Sequence, residues 1–461
     1  MDARLLALNR FGLGARPGER QRLSDPRGWL KDQLHGAPPA IEAPAEASAQ
    51  AIASALRDFR MPTAEDKDAR QQARRTLIAI AAAESRAALT ARVASDRPFV
   101  ERLVAFWSNH LCISINAKVL VAPLAGSYER EAIRPHVLGR FEELVLASAK
   151  HPAMLVYLDN FQSIGPRSVA AGFTRRNGQP RGLNENYARE LLELHTLGVN
   201  GGYTQQDVQE LAKILTGWTV SGLRARGFGR RPDQTRDSSS GIVGFAFQEG
   251  LHEPGARVVL GSRYADGGVA QGERVIRDLC RHPSTGRFIA TKLVRHFVSD
   301  EPPAAAVDRV ARVFRETGGD LRAVTAAIVD LPEAWSGEHR KFRTPQDWLV
   351  ASMRAFNITE GRDSATFALR QLRHPLWGPQ APKGFGDSVQ EWADPDALLN
   401  RGELARTFAR RMGAGRIDPR MVLEVADVSD SDPLRAMMAD NSIQAVDRVA
   451  LALASPAIQW R

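Results

Sequence analysis

One stretch of this 461-residue chain, from Asn184 to Trp218, gathers most of the side chains whose types and spacing suit chemistry. Residues 184–197 fit one helix turning about 100° per residue, with Gly198 as its stop. Asn186, Glu190 and Glu193 then follow i, i+4, i+7 spacing and share a face, the two carboxylates roughly 60° apart. Carboxyl groups held together act as metal ligands, or as acid and base once their pKa values are pushed apart. Ordinary helix ion pairing, Glu185 with Arg189 and Arg189 with Glu193, accounts for the same charges equally simply. His195 does not complete a chelating triplet with Glu193, because residues two apart on a helix point in nearly opposite directions. It falls towards Leu191 and Leu192, as a core or capping histidine or as a ligand shared with another element.

Cationic partners come from the preceding segment. Arg130, Glu131 and Arg134 share a face, and Arg134 stands directly before Pro135. An arginine so placed clamps a carboxylate or phosphate with two parallel bonds, or serves as the buried counter-ion of Glu190 or Glu193. The candidate catalytic set is therefore Glu190, Glu193, Arg134 and His195, with Asn184, Asn186, Arg130 and His252 for substrate; the pattern names no metal or cofactor. Exposure of Glu190, Glu193 and Arg134 as one group favours an enzyme. Full burial and full pairing favours a network that only fixes the fold. Blander roles suit the rest: Asn109 and His110 cap helix carbonyls, Asp207 caps its own helix, and Trp218 anchors the core.

The elements that must position these groups are mainly helical. A short N-terminal helix stops at Gly12 and Gly14, and a Pro/Ala/Glu stretch at 37–48 reads as a linker. A long helical pattern runs from about 64 to 110, with Leu77, Ile80, Ala81, Ala88, Phe99, Leu103 and Phe106 on its apolar face. The next helix must end before Pro135, resume at Phe141, and restart with Pro152 in a first turn. Thr204 with Asp207 makes a near capping box. Residues 221–241 are rich in Gly, Ser and Arg and read as a mobile basic loop. Strand-like pieces Val243–Gln248 and Arg257–Leu260 suggest one hairpin bearing His252. Helices return at 267–281, 284–297, 303–316, 319–331 and 345–358, and 373–390 is a Pro, Gly and Trp rich loop. The expected organisation is an N-terminal helix and linker over 1–45, then one multi-helical domain over 46–461 with a loop and hairpin insertion at 221–262.

Composition excludes several classes. With 43% hydrophobic and 25% charged residues the chain builds a packed core. A formal charge of +9 over this length is modest, and no zinc-finger spacing or RNA-recognition signature accompanies it, so nucleic acid is not an expected partner. The two cysteines, Cys112 and Cys280, stand far apart and outside any CxxC pattern. Walker A, GxGxxG after a strand, GxSxG and HExxH are missing, which argues against kinase, dinucleotide, serine hydrolase and zincin readings. No membrane span and no secretory leader is legible, so the expected location is the cytoplasm, with export beside a partner as the alternative.

The segments FWSNHL (106–111), EREAIRPHVLGRFEELV (129–145), HPAMLVYLDN (151–160) and NENYARELLELHTLGVNGGYTQQDVQELAKILTGW (184–218) resemble the bacterial family called domain of unknown function 1800. ALNRFGLGARP (7–17), HPSTGRFIATKLVRHFVSD (282–300), KFRTPQDWLVASMRA (341–355) and ALASPAIQWR (452–461) extend the resemblance over nearly the whole chain. It implies no agreed reaction, substrate or cofactor. It does imply a genomic neighbour, an exported alkaline-phosphatase-like protein, as a possible partner. Family members commonly carry His then Asp in the hairpin, where this chain has His252 and Glu253. Two readings stay open: an acid/base or metal-dependent enzyme with a carboxylate, Arg and His pocket, or an accessory protein binding its partner through the basic loop and the Trp-bearing 373–392 segment.

Overall fold

The computed structural model describes residues 2–60, 66–176, 182–223, 243–337, 340–358, 362–411 and 418–461. Among them the protein is mainly helical, with strand confined to two small antiparallel ladders. The mobility expected for 222–240 falls almost wholly outside the described residues.

The pattern between 64 and 110 folds as two helices rather than one, Lys67–Ala94 and Pro98–His110. The cause is Pro98, whose ring excludes a helical conformation at Arg97 (φ −117°, ψ 60°). Pro98 then fits the first turn of the second helix, where its missing N–H costs nothing. The expected apolar residues, from Leu77 to Phe106, are buried. Pro152 likewise opens Pro152–Tyr157, and Thr204 and Asp207 close a complete capping box at Gln205–Leu215.

Two turns near the candidate residues are wound wider than an α-helix. In Leu191–Thr196 the Leu197 N–H donates to the Leu192 carbonyl, five residues back, at 2.9 Å. In Glu129–Ile133 the Arg134 N–H reaches Glu129 in the same way. Each π turn rotates the residues after it away from the bearing that regular helical counting gives. Gly198, at φ 85°, ends the first of them as expected.

The strands correct a second expectation. Val243–Gln248 and Arg257–Leu260 do not pair with each other. Phe245–Phe247 pairs with Trp218–Val220, and Arg257–Val259 pairs with Ser262–Tyr264. Leu260 and Gly261 both have positive φ, 49° and 76°, and form a two-residue turn that sends the chain straight back. The edge of Arg257–Val259 is thereby used locally, and His252 lies in the connection between the ladders.

One apolar core includes residues from Leu5 to Ile458. Phe11 meets Phe99, Phe297 and Trp335 with ring centroids 5.3–5.8 Å apart, and burial of such a ring contributes roughly 1.5–3 kcal/mol. Phe99 and Phe297 belong to Pro98–His110 and Pro283–Phe297. Both helices hold the core on one side and carry a polar row on another. Arg102, Phe106, Asn109 and His110 follow i, i+4, i+7, i+8 spacing; Lys292, Arg295 and His296 follow i, i+3, i+4.

Candidate functional site

The expected contact of Arg134 with Glu190 or Glu193 is not formed. Arg134 is buried and forks onto Glu101, Nη1 to Oε1 at 2.6 Å and Nη2 to Oε2 at 3.0 Å, with Glu129 at 3.4 Å. Glu129 Oε2 also accepts from Arg92 Nη2 at 3.0 Å, Ser108 Oγ at 3.1 Å and Trp377 Nε1 at 2.9 Å. Burial alone would raise the Glu129 carboxyl, but Arg92 and Arg134 hold it below the ordinary range. Two arginines and two glutamates thus neutralise one another inside the protein. Arg130 pairs with Glu84. The physical reason is the wide turn at Glu129–Ile133, which no spacing rule registers, and the presence of closer carboxylates on Lys67–Ala94 and Pro98–His110.

The remaining candidates do not join Arg134 or one another in a single group. Glu193 accepts from the Tyr203 hydroxyl at 3.0 Å. Glu190 is half-buried, with no hydrogen bond or ion pair among the described residues, and desolvation and then Glu193 raise its pKa. Asn184 Oδ1 accepts from the exposed Asn186 N–H at 2.9 Å, an ordinary turn. His195 is buried, as its position beside Leu191 and Leu192 implies; its carbonyl accepts from His110 Nε2 at 3.1 Å. Burial, reinforced by Lys292, brings its pKa down to about 3. His252 is buried too and donates from Nδ1 to the Thr216 carbonyl at 2.9 Å. Glu253 accepts from Arg167 N and Nε, both at 2.7 Å, and from Arg257 at 3.1 Å. The described residues contain no group of three or more His, Cys, Asp or Glu arranged to hold a metal ion.

The chemistry-bearing space lies elsewhere. A cavity of about 420 Å³ opens between the polar rows of Pro98–His110 and Pro283–Phe297, the start of Pro345–Ala355, and residues 374–391. Asn109 fixes the last wall. Its Nδ2 donates to the Phe385 carbonyl and its Oδ1 accepts from the Phe385 N–H, both at 2.8 Å. The expected helix cap is instead a clamp on the Pro, Gly and Trp rich loop. Next to the lining carboxylates, Lys341 reaches Asp300 and Arg461 reaches Asp347, and the two residues exchange backbone bonds at 3.0 and 2.8 Å.

In the wall, His296 Nδ1 lies 2.7 Å from Asp387 Oδ2. Burial would raise the Asp387 carboxyl, but His296 and Lys341 hold it low, so it stays ionised and accepts only. The Nδ1 must therefore carry the proton. Burial also keeps the His296 pKa below its ordinary value, Asp387 notwithstanding, which leaves Nε2 as a lone pair that is itself buried and has no hydrogen-bond partner among the described residues. Asp347 is held far below the ordinary range; burial opposes this, but Arg102 at 3.0 Å and Arg461 at 3.3 Å prevail.

The carboxylates Asp347, Asp387 and Asp300 are thus already engaged by cations, Asp300 by Lys341, while a fourth, Glu391, also lines the cavity and accepts from the Ser388 N–H at 3.5 Å. Among the described residues, three cations of the cavity have no carboxylate partner: Lys292, Arg295 and Lys383. Among the described residues Arg295 donates to the Asp300 carbonyl alone, at 3.2 Å. Burial brings Lys292 down to about 8. The cavity presents an excess of positive charge beside an imidazole oriented by a carboxylate.

Fold and site define a mainly helical protein with a basic, histidine-bearing internal cleft. The chain belongs to the family described as protein of unknown function (DUF1800), whose model matches residues 6–460. No significant match is found among curated proteins or among solved structures.

Proposed function

We propose that this protein is an enzyme of the acid/base type that takes a small anionic substrate into the cleft between Pro98–His110 and Pro283–Phe297. One observation carries the reading: an imidazole oriented by Asp387 lines the same cavity as three cations that lack carboxylate partners among the described residues. Lys292, half-buried, attracts a carboxylate or phosphate strongly because little water screens it, and the exposed Arg295 and Lys383 add a weaker, screened attraction. His296, neutral and protonated on Nδ1, accepts a proton on Nε2, and Asp387 stabilises the imidazolium that results. Glu190, half-buried with a raised pKa, is retained as a second candidate proton carrier on the Cys112 side, where its charge adds to the rise of that thiol.

The test is thermal stability in a panel of small anions, including inorganic phosphate and pyruvate. A ligand at a hundred times its Kd stabilises by about 2.7 kcal/mol. At least one anion is expected to raise the Tm of the wild type saturably and to lose that effect in Lys292→Met/Arg295→Met. Equal responses of the two proteins would remove the cleft as the anion site. Silence of every anion would favour the accessory role beside an alkaline-phosphatase-like partner.

A further inference from the structure

We propose that Lys292 is a nucleophilic amine that condenses with the carbonyl group of a small oxo acid. The proposal rests on the cleft being an anion site and names the substrate class. Lysine side chains in this region have three different fates. Lys341 is fully buried and tied to Asp300 and to the Asp387 carbonyl. Lys383 is exposed, and its ammonium is hydrated. Lys292 is half-buried, lines the cavity, and has neither a hydrogen bond nor an ion pair among the described residues. Its Nζ lies over the Phe288 ring, 5.6 Å from the centroid. That ring packs on His110 at 6.1 Å.

An amine attacks a carbonyl only when unprotonated, and a desolvated lysine without a carboxylate counter-ion is the side chain that meets this requirement. With its pKa near 8, about a tenth of the amine is free at pH 7. The neighbouring thiol does not compete, since burial pushes Cys112 up to about 12. Arg295, one turn along the same helix face, and Lys383 remain to hold a carboxylate or phosphate on the substrate. In the condensation the Nζ lone pair forms a bond to the carbonyl carbon, and the carbonyl oxygen takes up protons and leaves as water. The product is an imine at Lys292. His296 is available to carry the protons, and no oxidant or reductant is needed.

The test treats full-length protein with pyruvate and sodium cyanoborohydride and maps carboxyethylated lysines by peptide mass spectrometry. Labelling at pH 7.5 is expected to favour Lys292 at least tenfold over every other lysine, to fall on adding inorganic phosphate, and to disappear from that site in Lys292→Arg. The yield at Lys292 should rise to half its maximum near pH 8, well below exposed lysines. Labelling spread over lysines by exposure, or absent from Lys292, overturns the proposal. If the anion-dependent rise in Tm persists without the adduct, the imine fails while the cleft reading stands. Loss of both overturns both.

Discussion

Replacing Glu101 by Gln tests whether Arg134 is a structural counter-ion rather than part of a reactive group. The substitution removes the negative charge and one of the two oxygens that accept from the Arg134 arms at 2.6 and 3.0 Å, puts an NH2 donor in its place, and leaves Glu129 at 3.4 Å and the Pro39 carbonyl at 3.1 Å. Arg134 and Glu101 are both almost completely buried. Breaking such a pair from one side costs about 3–5 kcal/mol, because an uncompensated guanidinium stays behind. Against a typical total of roughly 5–15 kcal/mol that is a large loss. Equilibrium urea unfolding of wild type, Glu101→Gln, Arg134→Met and the double variant measures it. The double variant should lose less than the sum of the singles, since neither charge is then left alone. A loss below about 1 kcal/mol for Glu101→Gln, or strictly additive singles, would refute the reasoning.

Glu190→Gln should behave in the opposite sense. Desolvation and Glu193 raise the folded pKa of Glu190 above the ordinary 4.5, so the folded state binds its proton more tightly and wild-type stability falls as pH rises through that window. The variant is expected to equal or exceed the wild type at pH 7 and to lose this advantage below about pH 4.5; destabilisation at pH 7 would mean an ion pair that the geometry lacks. His195 has its pKa depressed to about 3 from 6.5, so its contribution is complete above pH 6.5 and declines as pH falls towards 3. At pH 5 the decline is about 2 kcal/mol, 1.36 kcal/mol for each unit. Denaturation curves of His195→Gln should therefore lose about that much less between pH 7 and pH 5 than the wild type, and parallel losses would show that His195 is not buried neutral.

Much of the fold was legible because helical periodicity and its punctuation are local. Pro152, Thr204 with Asp207, and Gly198 act within a turn or two of themselves, and they lie where their chemistry implies. Pro98 was equally local, yet the apolar pattern continuing past it made two helices read as one. The partners of charged residues were not legible. Spacing says that Glu190 and Glu193 share a face, but not what that face meets, and the wide turns at Glu129–Ile133 and Leu191–Thr196 leave no mark in the pattern. His296 and Asp387 are 91 residues apart, so no motif joins them. A usable signal did exist in the polar rows Lys292, Arg295, His296 and Arg102, Asn109, His110, each on one side of a helix that buries its apolar residues on another.

Under the proposed function, His296 offers an unprotonated Nε2 within an anion-binding cleft. Long-range proton–nitrogen correlation spectra of protein labelled with ¹⁵N histidine, titrated with inorganic phosphate and pyruvate at pH 7, test it most directly. His296 should show a protonated Nδ1 and an unprotonated Nε2, and its Nε2 resonance should shift saturably with at least one anion while His252, buried outside the cleft, stays fixed. A His296 protonated on Nε2 in the free protein, or anion responses that spare His296, would contradict the account.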